Sequence, residues 1–193
     1  WQQTIQSKIA NQAAVLEYAT GEKHPNMLKW ATGVRSGDPE NLEARAVAYY
    51  WKTLFSDIIR GFIRGRDEDA PNNLLNYGYA IVRATVARAL VCSGLLPTLG
   101  VHHRNKYNAY CLADDIMEPY RPYVDLLVYQ IVKEDGPLGL DTSMKARLLS
   151  IPMTDVRING VTSPLMIAAT TTSASLAKCF CGESKQVLYP ILQ

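Results

Sequence analysis

The chain has 193 residues, 48% of them apolar and 20% charged, with a net charge of +2. A chain of this make-up can hide roughly two-thirds of its unfolded surface, which excludes a disordered or low-complexity protein. A pI of about 8.3 excludes a globally basic nucleic-acid binder, so any such footprint must be local.

No apolar run approaches the roughly 18 residues needed to span a bilayer, and no secretory signal is visible. Cys92, Cys111, Cys179 and Cys181 read as reduced thiols, consistent with a cytoplasmic protein. Cys179 and Cys181 have no second pair, so no structural zinc site is expected.

Trp1 is not a natural initiator, and a helical pattern starts at once. The chain therefore reads as a region that begins inside a longer protein. Ile5, Ile9, Ala13, Val15, Leu16 and Ala19 recur at helical spacing over 1–19, and Gly21 is placed to end that helix. A short helix is predicted over 27–34, closed by Gly37-Asp38-Pro39. Asp38 then caps a helix with Pro39 in its first turn, running to about Gly61. Residues 61–73, with Arg64, Arg66, Asp67, Glu68 and Asp69, predict a charged surface loop.

A long helix is predicted from Asn73 to Cys92, stopped by Gly94, and then a loop over 95–110. The next helix starts near Leu112, must kink or break at Pro119, and continues through Val124, Leu127, Val128 and Ile131 to about Glu134. Gly136-Pro137 ends it, and 142–149 reads as another short helix. Residues 154–162 alternate around Asn159-Gly160, a pair suited to a type I′ turn, and predict a small hairpin. Ser163-Pro164 is expected to cap a last helix over 165–181, followed by an irregular tail. The fold class is mainly α: a single multi-helix domain, 1–193, with at most one small β-hairpin near 154–162.

The chemistry concentrates between Gly94 and Pro122. This stretch holds His102, His103, Asp114, Asp115, Glu118, Arg104, Lys106 and Arg121. Imidazole and carboxylate together suit a divalent cation, and basic neighbours suit a polyanionic substrate. Asp115 and Glu118 are three apart and would share a helix face, able to share a cation. The alternative is an acidic face near a helix N-terminus, where negative charge is favourable. His102 and His103 are adjacent and point different ways, so only one can reach a common site.

Glu43 shares a face with Val47 and Tyr50; it is either exposed or has a partner. Arg83 and Arg88, with Asn76, Tyr77 and Tyr79, could follow a phosphodiester backbone or form a plain polar face. His24 lies in an N-terminal turn with no evident partner.

Four stretches carry a resemblance. They are Asn41-Leu42-Glu43-Ala44-Arg45-Ala46, Asn73-Leu74-Leu75-Asn76-Tyr77-Gly78-Tyr79, the run from Gly94 to His103, and Leu112-Ala113-Asp114-Asp115-Ile116-Met117-Glu118-Pro119-Tyr120-Arg121-Pro122. In this order they resemble the CRISPR-associated spacer integrase family, and their wording is similar to the branch found with type II systems. The resemblance implies a metal-dependent DNA integrase or endonuclease of CRISPR adaptation, which joins donor 3′-hydroxyls to the repeat by transesterification.

It implies Glu43, His103 and Glu118 as ligands of Mg²⁺ or Mn²⁺, with Asp115 as a helper at the catalytic centre. Arg104, Lys106, Arg83, Asn76 and Tyr77 are the expected DNA contacts. It further implies a homodimer in the full-length protein, double-stranded DNA as substrate, a small ferredoxin-like companion subunit, and an N-terminal β-sandwich domain that this chain lacks. Two other readings stand beside it: a non-catalytic helical module that binds DNA or protein, and an unrelated metallo-phosphohydrolase acting on small substrates.

Overall fold

The computed structural model describes residues 1–65 and 69–192. Among them are eight α-helices: α1 (Gln2–Thr20), α2 (Pro25–Gly33), α3 (Leu42–Leu54), α4 (Asn72–Cys92), α5 (Cys111–Ile116), α6 (Arg121–Asp135), α7 (Thr142–Leu149) and α8 (Leu165–Phe180). One antiparallel hairpin joins β1 (Asp155–Ile158) to β2 (Val161–Pro164). The mainly α expectation holds. No helix of the described residues is long and apolar enough to cross a membrane.

α1 is the spine. It packs on α2, α3, α6 and the 3₁₀ turn Glu118–Tyr120. Ile5, Ile9, Val15 and Leu16 are fully buried, as their spacing requires. Thr4, Lys8, Asn11 and Gln12 are buried as well, so each needs partners. Asn11 Nδ2 donates to the carbonyls of Pro119, at 2.8 Å, and Pro190, at 3.0 Å. Asn11 Oδ1 accepts from Leu192 N at 3.0 Å. One amide thus pins both a helix break and the C-terminal tail to α1.

α4 is the second axis, packed on α5, α6, α7 and α8. A methyl group at Gly78 would lie 2.4 Å from Val124 Cγ1, so α4 and α6 approach as closely as they do only because this position has no side chain.

Several boundaries differ from expectation, each for a local reason. α3 starts at Leu42 rather than Pro39. Asp38 still caps it, accepting the N–H groups of Leu42 and Glu43 at 2.9 Å each. The chain first turns through Asp38 and Asn41 at positive φ. α3 also ends at Leu54, short of Gly61. There Ser56 Oγ donates to the Thr53 carbonyl at 2.7 Å and the backbone tightens into turns.

The break expected at Pro119 is complete: α5 stops at Ile116, a 3₁₀ turn follows, and α6 starts at Arg121 with Pro122 in its first turn. The hairpin turns on Asn159 and Gly160, both at positive φ, with Ile158 opposite Val161. Ser163 does not cap α8; it pairs with Val156 in the ladder, and Pro164 leads straight into the helix. Arg66, Asp67 and Glu68 of the predicted charged loop lie outside the described residues.

Asp125 ties three helices together. From α6 it accepts the phenol of Tyr50 in α3 at 2.9 Å and that of Tyr79 in α4. Burial pushes its carboxyl up to about 6 from 3.8, although the two phenols and the Arg121 and Arg64 charges pull the other way. The folded-state value is thus raised above the unfolded one. Its stabilising contribution is fully present below pH 3.8 and is lost as pH rises through about 6. Asp125→Asn is expected to remove that dependence. In urea unfolding, the variant should gain on the natural chain by about 2–3 kcal/mol between pH 4 and pH 7.5. A difference that does not change with pH would contradict this.

Candidate active site

Three separate elements bring charge to one buried point. Glu43 stands in the first turn of α3, set there by the Asp38 cap. Glu118 opens the 3₁₀ turn that Pro119 imposes. Lys8 comes from the buried face of α1. Its Nζ lies 2.9 Å from Glu43 Oε1 and 2.7 Å from Glu118 Oε2. The other Glu118 oxygen accepts Arg121 Nε at 2.7 Å, and the Arg121 guanidinium stacks on Tyr79 at 4.6 Å from the ring centre.

Burial works against both charged forms here. The Glu118 and then the Glu43 carboxylates outweigh it at Lys8 and hold that ammonium above its usual value. Lys8 and Arg121 outweigh it at Glu118 and hold that carboxyl below the usual range. The buried charges of Lys8 and Glu118 are thus each paired, as their burial demands.

A second unit lies in the loop between α4 and α5. Asp115 is fully buried. Its carboxylate accepts the backbone N–H of His102 at 2.8 Å, the backbone N–H of His103 at 3.2 Å, and His103 Nδ1 at 2.5 Å. An ionised carboxylate only accepts, so with Asp115 in that form the ring turns an Nδ1–H toward it, and the neutral tautomer that fits carries its lone pair on Nε2. The side chain is 46% exposed. A carboxylate behind an imidazole is the usual support of a histidine metal ligand.

Gly100 makes this possible through space alone. A methyl group there would lie 2.4 Å from the His103 carbonyl oxygen and 3.0 Å from Asp115 Oδ2. The His102 ring stacks on Trp1 at 4.1 Å, away from Asp115.

The predicted ligands thus fall into two groups. Glu43 and Glu118 converge on a single cationic centre. His103 joins Asp115 instead, and among the described residues no three His, Cys, Asp or Glu side chains meet in one coordination sphere. Asp115 and Glu118 do not share a cation as a common helix face would allow, because the 3₁₀ turn carries Glu118 to Lys8 and leaves Asp115 under the loop. Two carboxylates around an ammonium, with a histidine presenting a free Nε2, fit a divalent cation in donor chemistry.

Of the expected DNA contacts, Arg104 and Lys106 are exposed on the 95–110 loop, beside the exposed rings of Tyr107 and Tyr110. Arg83 pairs with Asp114 at 2.8 Å and stacks on Tyr110. Asn76 Oδ1 accepts Arg64 Nη2 at 2.6 Å, and Tyr77 packs half-buried on the core. His24 is not without partners: its ring nitrogens meet Thr20 Oγ1 and Tyr49 OH, each at 3.0 Å.

Sequence reasoning missed Lys8, Gln12, Asn11 and the Arg121–Tyr79 stack. The available signal was Thr4, Lys8 and Asn11 at helical spacing, a polar stripe beside the apolar one.

A family model described as CRISPR associated protein Cas1 matches residues 1–136. The CRISPR-associated endonuclease Cas1 of Neisseria meningitidis serogroup C (strain 8013) is 43% identical over 135 residues, 69% of this chain and 43% of that protein. The chain spans a little under half the length of the first curated relatives it matches. Among solved structures, a casposase bound to integration product aligns with a TM-score of 0.77 at 20% identity, over 96% of this chain and 64% of that one. A Cas6-RT-Cas1–Cas2 complex aligns at 0.75 and 19%, over 95% of this chain and 24% of that one. At those identities the likeness is one of fold.

Gly100→Ala is expected to push the His102–His103 backbone off Asp115 and so leave a buried carboxylate short of donors. Urea unfolding should show a loss of about 2–3 kcal/mol. An unchanged midpoint would show that the loop tolerates the methyl group and that Gly100 does not set the position of His103.

Proposed function

The chain belongs to the CRISPR associated protein Cas1 family, and we propose that it is the helical catalytic domain of a metal-dependent DNA integrase or endonuclease of CRISPR adaptation. One observation carries the reading. Glu43 and Glu118, 75 positions apart in the chain, each bring a carboxylate oxygen within 2.9 Å of the same cationic atom, Lys8 Nζ.

In this reading Glu43 and Glu118 supply two oxygen ligands and His103 supplies Nε2. Asp115 acts through His103, fixing its ring and tautomer. When bound, Mg²⁺ or Mn²⁺ would supply Lewis-acid stabilisation of charge on the scissile phosphate. Arg121 keeps Glu118 ionised. Arg104, Lys106, Arg83, Asn76 and Tyr77 would hold the phosphodiester backbone of the donor and the repeat, with binding that weakens steeply as salt rises. A DNA 3′-hydroxyl attacks the phosphate, a new 3′-oxygen–phosphorus bond forms, and the old 3′-hydroxyl leaves. Attack by water at the same phosphate gives nuclease activity.

Partners follow from the family. They are double-stranded DNA, a second copy of the protein in its full-length form, an N-terminal β-sandwich domain, and a small ferredoxin-like companion subunit. One fold neighbour is a Cas6-RT-Cas1–Cas2 complex, which supports a companion. A role in CRISPR adaptation implies the cytoplasm of a prokaryote.

The alternative is a non-catalytic helical module that binds DNA or protein. Lys8 favours it to this extent: the two glutamates are already neutralised without a metal. It predicts DNA binding that ignores divalent cations and survives loss of His103.

Strand transfer on a branched DNA with Mn²⁺ separates the two. Glu43→Ala, His103→Ala and Glu118→Ala should each lower the rate roughly a hundredfold or more. Substitutions that leave both strand transfer and Mn²⁺ affinity untouched would refute the enzymatic reading.

A further inference from the structure

The cation position between Glu43 and Glu118 already has an occupant. Lys8 Nζ makes charge-assisted hydrogen bonds to both. A second cation cannot enter between those oxygens while the ammonium remains, because like charges at contact distance repel. An ammonium that leaves a buried pair must in turn find another acceptor.

The structure provides one. Gln12 lies one turn along α1 on the same face as Lys8. Both line a cavity of about 340 Å³ that also takes in Glu118 and Asp125. Gln12 is 3% exposed, and its Oε1 has no hydrogen-bond partner among the described residues. An unpaired buried amide oxygen is uncommon and costly. It is an acceptor with room for one more donor.

We propose that Lys8 is a displaceable internal counter-cation. Its ammonium holds Glu43 and Glu118 until a divalent cation takes its place, and then moves through the cavity to Gln12 Oε1. The inference rests on the metal-dependent reading above and adds a moving part to it: the site trades a bound lysine for a metal, and Gln12 makes the exchange less costly.

The test is Mn²⁺ affinity, measured calorimetrically on the chain without DNA. Lys8→Met keeps the length of the side chain and removes the competing charge, so Mn²⁺ should bind roughly tenfold or more tightly. Gln12→Leu removes the landing acceptor and should weaken Mn²⁺ binding. In the Lys8→Met background Gln12→Leu should have no effect, since no ammonium then needs the oxygen. A lysine that merely braces the fold would not produce that dependence of one substitution on the other.

Equal Mn²⁺ affinity in Lys8→Met and the natural chain overturns the proposal, and so does an effect of Gln12→Leu that is the same in both backgrounds. Gln12→Leu replaces an unpaired amide with an apolar group and leaves the fold intact. It therefore carries the test alone if Lys8→Met does not fold, and an unchanged affinity then overturns the proposal. Failure of the underlying metal reading looks different: Mn²⁺ binding would be indifferent to Glu43→Gln and Glu118→Gln.

Discussion

An ammonium held between two carboxylates is the constraint on which this architecture turns. Lys8 links α1 to the start of α3 and to the break between α5 and α6. Lys8 and Glu118 are buried charges that are tolerable only when paired, since removal of one partner from a buried pair costs about 3–5 kcal/mol. Much of the local structure serves that arrangement. The Asp38 cap fixes Glu43, the 3₁₀ turn at Pro119 aims Glu118, and Asn11 takes up the Pro119 carbonyl freed by the break. α1 is therefore part of the charge cluster and not merely a support for it.

The loop between α4 and α5 solves a second problem by different means. Asp115 is buried without a cationic side chain of its own and is satisfied by two backbone N–H groups and an imidazole. Gly100 leaves room for that arrangement, and Arg83 with Asp114 fastens the far side of the loop to α4. The result is a half-exposed histidine held through Nδ1, on a loop that also carries exposed basic and aromatic side chains. Basic and aromatic side chains of this kind suit the proposed contact with an anionic chain better than a small apolar ligand.

Much of this was legible in the sequence. Apolar spacing located every helix, and Asn159-Gly160 located the hairpin, because both signals are local and strong. Asp38 was read correctly as a cap, although positive φ at Asp38 and Asn41 delayed the helix to Leu42. Ser163-Pro164 misled because capping residues also fit the end of a strand, and only the register shows which applies.

At the site, Glu43, His103, Asp115 and Glu118 could be named from motifs, but their partners could not. Asp115 and Glu118 looked like a pair on a continuous helix, and the proline turned one away from the other. Lys8 was hidden because a lysine between Ile5 and Ile9 reads as the solvent side of an amphipathic helix. Nothing short of the packing of α1 against α3 and the 118–120 turn reveals that this side is buried.

The account stands on one cation position shared by residues from distant parts of the chain. A crystal soaked in Mn²⁺ and measured for anomalous scattering tests it most directly. The account predicts a peak bonded to the Glu43 and Glu118 carboxylates and to His103 Nε2, with the Lys8 side chain drawn away from it. An ammonium still bridging the two glutamates at saturating Mn²⁺, with any metal bound elsewhere, would contradict it.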